Sequence, residues 1–293
     1  MKPALKMPPL GRIFGRTKRG LSVYLTGKLF RMLELDESYK PTFKPVEILF
    51  QHETEEEKIK SISGVVDRLG LRGKDVVSCL TVDEGILKFQ KFPASMPKKD
   101  LMEAINWYIK SETQQIREET VYDYFFLKTE PDEKYVNVVI TIARKGSVDK
   151  LVDTLVACDL KPKIIDYEIV SIINYGIHQK LPVPFSILYI DYTGSILTYY
   201  SKSAISYNKI DFDYLSYKDS RDSALLDAFL IESRNLLVIN EISNVYLAGP
   251  IIGDEEGLEN IMSNLPVLGI LDIEGIRPEF FIPYTLSVRA LEG

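Results

Sequence analysis

The chain is predicted to be an α/β protein of two like lobes with an inserted subdomain, and three observations carry that expectation. The stretch Phe185 to Phe212, FSILYIDYTGSILTYYSKSAISYNKIDF, is broken only at Thr193-Gly194 and Lys202-Ser203, the pattern of three antiparallel strands joined by tight turns. The pattern recurs near the N-terminus. There Leu21 to Leu35, LSVYLTGKLFRMLEL, places Thr26-Gly27 between two apolar runs, and Val46 to Phe50 supplies a third; the two glycines lie 167 positions apart. Each meander leads into alternating helices and strands, which gives each lobe a mixed sheet, and residues 85–165 between them carry strands and helices of their own.

At 293 residues the chain is long enough for two cores, and 45% hydrophobic with 27% charged residues is an ordinary globular balance. Residues 1–20 form a basic tail with Lys2, Lys6, Arg12, Arg16, Lys18 and Arg19 and no acid; with the whole chain at −6, the remainder carries −12. Such a tail is either a frayed end or a contact for an anionic inner leaflet, worth about 1 kcal/mol per basic side chain near the surface. An acidic body argues against a nucleic-acid groove. No run approaches the roughly 20 apolar residues of a membrane helix. Cys79 and Cys158, each in an apolar run, suit small buried thiols in a reducing cytoplasm.

In the first lobe, residues 21–84, Thr54 and Glu57 have capping-box spacing ahead of Ile59, Ile62, Val65, Val66 and Leu69 on one helical face, and Gly70 ends the helix. Lys74 to Val82 reads as a strand, Asp83-Glu84-Gly85 as a turn and Ile86 to Phe92 as a second strand, together a hairpin that opens the insert. A helix follows with Leu101, Ala104, Ile105, Tyr108 and Ile109 inward, leaving Trp107 off the stripe as either a packing residue or a partner contact. Tyr122 to Leu127 and Val136 to Ala143, around a turn at Pro131-Asp132, read as two buried strands. Ser147 is placed to cap a helix with Val148, Leu151, Val152, Leu155 and Val156 on one face, which Lys161-Pro162 stops before a short strand, Ile164 to Tyr167.

Residues 166–293 form the second lobe, with 166–184 returning through the first. A helix at Ile169 to Ile177 and the stiff link Leu181-Pro182-Val183-Pro184 precede the second meander. A helix from Ser223 to Val238, a strand Val245 to Ala248 ending at Gly249-Pro250, a helix with Leu258, Ile261 and Met262, a strand Val267 to Ile273 and a closing helix near Tyr284 complete it.

Chemistry-bearing motifs are scarce. Gly70 to Asp75, GLRGKD, is too short for a phosphate loop and lacks its hydroxyl; His52-Glu53 has no second histidine in zinc spacing; and His52 and His178 are the only histidines. Asp191 before Thr193-Gly194-Ser195 either caps its own turn or holds a phosphate-bound Mg²⁺ through water. Gly249 is either a plain strand-to-helix turn or a point where a nucleotide base approaches the backbone.

Taken in order, the parts resemble the actin-like proteins of the type IV pilus assembly family PilM, with FtsA and the secretion-platform protein GspL as more distant relatives. The resemblance spans nearly the whole chain: the hairpin ending FRMLEL; KDVVSCLTVDEGILKFQKFP, KKDLMEAINWYIKSE and YDYFFL over the insert; SVDKLVDTLVACDLKPKIIDYE; ILYIDYTGSILTYY as the second phosphate turn; VYLAGPI as the adenosine turn; and YTLSVRALEG as the closing helix. It implies an actin-like, ribonuclease H-like two-lobe α/β fold with an inserted α+β subdomain. It further implies a non-enzymatic cytoplasmic scaffold at the inner face of the membrane, docking the N-terminal peptide of a PilN-like single-span protein between the first lobe and the insert, with Trp107 contributing. A pilus platform protein and a motor ATPase are further implied partners.

ATP with Mg²⁺ is the family's cofactor, and the positions that match its site are Asp191, Thr193, Gly194 and Gly249. Several departures weaken that site. Tyr24 stands where the family has its first phosphate aspartate and Thr26 where it has the following glycine; Tyr192-Thr193 replaces Ile-Gly; and the glycine run is cut to Gly249-Pro250. About a dozen residues before Ser223 replace the helical subdomain that closes over the nucleotide. A degenerate site with no cofactor is therefore expected. The alternatives are an ATP-binding protein with ATP-dependent assembly, or the cytoplasmic part of a GspL-like protein.

Overall fold

The computed structural model describes residues 18–114, 116–127, 134–192 and 194–292. The basic tail up to residue 17, the turn at Pro131-Asp132 and Thr193 lie outside the described residues. Two five-stranded sheets are built to one plan. In the first, β1 (Gly20–Leu25) and β2 (Leu29–Leu35) form a hairpin in which Leu25 opposes Phe30, and β3 (Val46–Leu49) adds to β2. Helix α1 (Glu55–Arg68) follows, its N-terminus closed by the Thr54–Glu57 capping box, and leads to β4 (Asp75–Leu80), parallel to β1. The fifth strand, β8 (Lys161–Tyr167), lies parallel to β4.

The second sheet repeats the order. β9 (Phe185–Asp191), β10 (Gly194–Ser201) and β11 (Ala204–Ile210) form a meander; β12 (Val245–Ala248) runs parallel to β9, and β13 (Val267–Ile270) parallel to β12. The strand orders, β3-β2-β1-β4-β8 and β11-β10-β9-β12-β13, are equivalent. Between β11 and β12 stand only a short α5 (Tyr214–Ser220) and α6 (Ser223–Ile239). Helix α7 (Glu255–Asn264) links β12 to β13.

Two helices tie the lobes together. α4 (Glu168–His178) packs on β9 and β10, where a Cβ on Gly176 would stand 2.5 Å from the Phe185 ring. α8 (Phe281–Glu292), after the second sheet, returns to lie across β1, β2 and β4 and packs on α4. Ser22 Oγ donates to Pro283 O at 2.7 Å and accepts from Ser287 Oγ at 2.8 Å, and a side chain at Gly20 would strike Ser287 O. One continuous apolar cluster therefore runs through both lobes.

The insert is a three-stranded antiparallel sheet, order β5-β7-β6, made by β5 (Gly85–Pro93), β6 (Thr120–Phe126) and β7 (Tyr135–Arg144), with α2 (Lys98–Thr113) on one face. Leu101, Ile105 and Ile109 of α2 meet Val138, Ile140 and Ile142 of β7 in a small separate core.

Several expectations are corrected. β4 and β5 are not a hairpin: β4 is enclosed between β1 and β8 and has no free edge, and a 3-10 turn at Val82–Glu84 carries the chain into the other sheet. β6 is an exposed edge strand rather than a buried one, because α2 covers a single face of a sheet only three strands wide; Tyr122 is 53% and Phe126 46% exposed. Ser147 does not cap the helix after β7. That helix, α3 (Lys145–Ala157), starts directly off the strand, and Lys145 N–H is taken by Glu119 O. It ends at Asp159 in the left-handed region, ahead of Lys161-Pro162. Pro162 lies inside β8, tolerated on an edge strand where the register shifts. Since α3 and β8 belong with the first sheet, the insert hands the chain back near Arg144, earlier than residue 165.

Candidate functional site

A cleft of about 420 Å³ opens between the lobes, lined by Thr26, Gly27, Thr81, Glu168, Asp191 and Ser195 among others. A turn of free backbone N–H groups is what an anion binds. In the β1–β2 turn two of these groups are already engaged, since Thr26 Oγ1 accepts from Lys28 N–H and Leu29 N–H, both at 3.1 Å. Lys58 Nζ donates to Gly27 O at 3.0 Å beneath the same turn.

Tyr24 is buried and donates its hydroxyl to Glu168 at 2.7 Å, and Val82 N–H donates to the other carboxylate oxygen at 3.0 Å. Burial pushes the Glu168 carboxyl up to about 7; the Tyr24 hydrogen bond opposes that rise and Asp191 adds to it. Burial likewise raises the Tyr24 phenol, with Glu168 next in effect.

Asp191 ends β9 with its carboxylate fully engaged. Both oxygens accept from Arg31 Nη1 at 2.9 Å, Tyr189 Oη donates at 2.7 Å and Tyr192 N–H at 2.8 Å. Arg31 comes from the middle of β2 in the other lobe, paired with Tyr24 across the hairpin, and its side chain is fully buried. Its Nε donates to Glu47 at 2.7 Å and its guanidinium lies 4.7 Å from the centre of the Tyr192 ring. Burial works against the charged guanidinium, but Asp191, the Tyr189 phenol and Glu47 outweigh it and raise its pKa above the ordinary value. Arg31 Nη2 and Ser195 Oγ are buried without a partner. A second ion pair crosses the cleft, from Lys209 on β11 to Asp83 at 2.8 Å.

Asp191 and Gly194 thus line the cleft, and Gly194 has open space around it, only Lys209 coming within 4.0 Å of an added Cβ. Gly249 does not line it. At φ +95° it packs under β9, and an added Cβ would stand 2.5 Å from Ile190 O and 2.8 Å from the Tyr189 ring. The glycine serves the close approach of β12 to β9, and Tyr189 covers it. A cation seeking Asp191 has to displace Arg31, a charged group already at hydrogen-bond distance. The signal for that arginine is a lone basic residue inside the apolar run LFRMLEL. Glu168, the residue that takes the Tyr24 hydroxyl, carries no such signal.

A second opening, of about 480 Å³, lies between the insert and the first lobe. Near β5 the insert sheet packs on β11, and Asn137 Nδ2 donates to Lys202 O at 3.2 Å. Toward β6 the same face stands off, leaving Val121, Phe125 and Thr141 opposite Ile164, Asp166 and Val170. Tyr167 closes the floor, its hydroxyl donating to Gly85 O at 2.7 Å. Trp107 does not line this groove. It is 71% exposed, on the outer side of α2, and α2 covers the opposite face of the insert sheet.

No protein-family model matches the chain, and no curated sequence does either. Solved structures do. A chain of a PilM–PilN type IV pilus biogenesis complex aligns with a TM-score of 0.72 at 15% identity, over 95% of this chain and 100% of that one. A Bacteroides thetaiotaomicron protein of actin-like ATPase fold and unknown function aligns at 0.53 and 14%, over 96% and 98%. The cytoplasmic domain of EpsL, an inner-membrane component of the type II secretion system of Vibrio cholerae, aligns at 0.52 and 15%, over 94% and 95%. The chain has the actin-like fold.

Proposed function

We propose that this actin-like chain is a cytoplasmic scaffold of a type IV pilus or related secretion platform at the inner face of the membrane, and that it docks the N-terminal cytoplasmic peptide of a PilN-like single-span protein. One observation carries the reading: the interlobe cleft is bridged by the chain's own Arg31–Asp191 pair, while the groove beside the insert stays open and largely apolar. An extended peptide lying along β6 meets an edge strand with unpaired backbone groups and apolar walls on either side. The likeness to a PilM–PilN complex over nearly the whole chain supports that choice of partner.

On this reading the nucleotide site is degenerate and the protein turns over no substrate. The Mg²⁺-binding carboxylate is neutralised from within, and the first phosphate turn is occupied by Thr26. Trp107, on the far side of the insert, takes no part in that groove on this reading. The experiment is a pair of titrations, one on the unaltered protein and one on Phe125→Ser. A peptide comprising the first cytoplasmic residues of the single-span protein encoded beside this chain should bind, and Phe125→Ser should weaken it. Peptide binding indifferent to Phe125, or none, contradicts the docking reading.

A further inference from the structure

Within the groove, one side chain is out of keeping with its surroundings. Asp166, on β8, stands among Val121, Phe125, Ile164 and Val170 and is partly buried there. Its Oδ1 accepts the N–H of Tyr167 at 2.8 Å, and among the described residues no other hydrogen bond and no salt bridge reaches it. Burial raises its pKa above the usual carboxylate range; the Tyr167 N–H lowers it, and Arg289 does so only from a distance. A carboxylate taken out of water without a counter-ion is costly, and the cost disappears when a cation is delivered to it.

We propose that the groove selects a peptide with an arginine or lysine set within an otherwise apolar extended segment, and that Asp166 is the residue that pairs with that cation. The proposal rests on the docking reading and specifies its partner. Charge complementarity supports it: the groove holds two acids, Asp166 and Asp123 of β6, against one arginine, Arg289. Arg289 is exposed to solvent, so it requires no partner of its own. The edge of β6 offers backbone pairing to an extended segment, and Val121, Phe125 and Ile164 offer it apolar contact. The pairing would then decide specificity, because an uncharged competitor covers Asp166 and leaves it unpaired.

The test uses the full chain and an array of N-acetylated octapeptides of apolar residues relieved by serine, in which arginine or its uncharged isostere citrulline is scanned through each position. Acetylation removes the terminal amine as a second source of positive charge. The expected result is at least about tenfold tighter binding of the arginine member at one or two positions, reduced to within about twofold in Asp166→Asn. That variant keeps an acceptor for Tyr167 N–H, so the fold is retained. Phe125→Ser should weaken arginine and citrulline peptides by the same factor. Equal binding of the two peptides by the unaltered protein, or an arginine preference that survives Asp166→Asn, overturns the proposal and leaves the docking reading standing. If no peptide binds at any position, the proposal falls, and the titration with the neighbouring single-span protein's own peptide decides the docking reading.

Discussion

Replacing Arg31 by methionine keeps an unbranched stem and removes the guanidinium with its charge, which tests whether the cleft is held by an internal ion pair. In the native protein the guanidinium is fully buried and reaches Asp191 at 2.9 Å and Glu47 at 2.7 Å. Arg31→Met leaves Asp191 without a cation in a site where only Tyr189 Oη and Tyr192 N–H still donate to it. Breaking a buried pair from one side costs about 3–5 kcal/mol, and for a chain of this size each kcal/mol lowers Tm by about 2–4 °C. Asp191→Asn alone removes one of the two carboxylates on the arginine and costs less, because Glu47 still neutralises it. In the double variant Arg31→Met/Asp191→Asn neither charge is left alone at the centre, and Glu47 retains Arg277 at 3.7 Å. The double variant should therefore be more stable than the sum of the single losses predicts, by about 1–3 kcal/mol. Urea denaturation of the four proteins measures this. Additivity within about 0.5 kcal/mol would show that Arg31 and Asp191 do not sustain each other across the lobes, and the reasoning would fail.

Three further outcomes are expected. Glu168 titrates at about 7 in the folded protein, above its unfolded value, so the native state holds the extra proton between the two and stability falls as pH rises through that window; Glu168→Gln should flatten the dependence and be the more stable form near about pH 8, by on the order of 3 kcal/mol, and an unchanged slope between about pH 4 and pH 8 would refute it. Gly249→Ala combines a φ of +95° with a Cβ 2.5 Å from Ile190 O, and should cost about 2 kcal/mol or more in denaturant titration, against near-zero cost if the turn is free to relax. Trp107→Ala should change stability by less than about 0.5 kcal/mol, because the indole is 71% exposed, and should leave groove affinity unaltered; a loss of peptide binding would return Trp107 to the groove.

The parts of the fold that local chemistry specifies were legible in the sequence. The two Thr-Gly breaks mark the turns after β1 and β9, although Thr193 itself is outside the described residues, and the capping box at Thr54 marks the start of α1. The resemblance of the ordered parts to an actin-like family agrees with the fold. What failed was information about neighbours. An apolar run such as VYDYFF is the same whether the strand is enclosed or at an edge, and only the narrowness of the insert sheet leaves β6 exposed. The run from Lys74 to Phe92 reads as a hairpin because its two strands are adjacent in sequence, whereas β4 is taken up on both sides by β1 and β8. At the site, the substitution of Tyr24 for an aspartate was visible, but its partner Glu168 lies 144 residues away and the Arg31–Asp191 pair spans 160. No periodicity reaches that far.

The central proposal is that Asp191 in this actin-like cleft is neutralised by Arg31 and takes no nucleotide-bound Mg²⁺. Titration calorimetry with ATP and Mg²⁺ tests it most directly, on the unaltered protein and on Asp191→Ala. The account predicts no binding in the micromolar range for either protein. Micromolar affinity in the unaltered protein that is lost in Asp191→Ala would mean that Mg²⁺ displaces Arg31 from the carboxylate, and would contradict it.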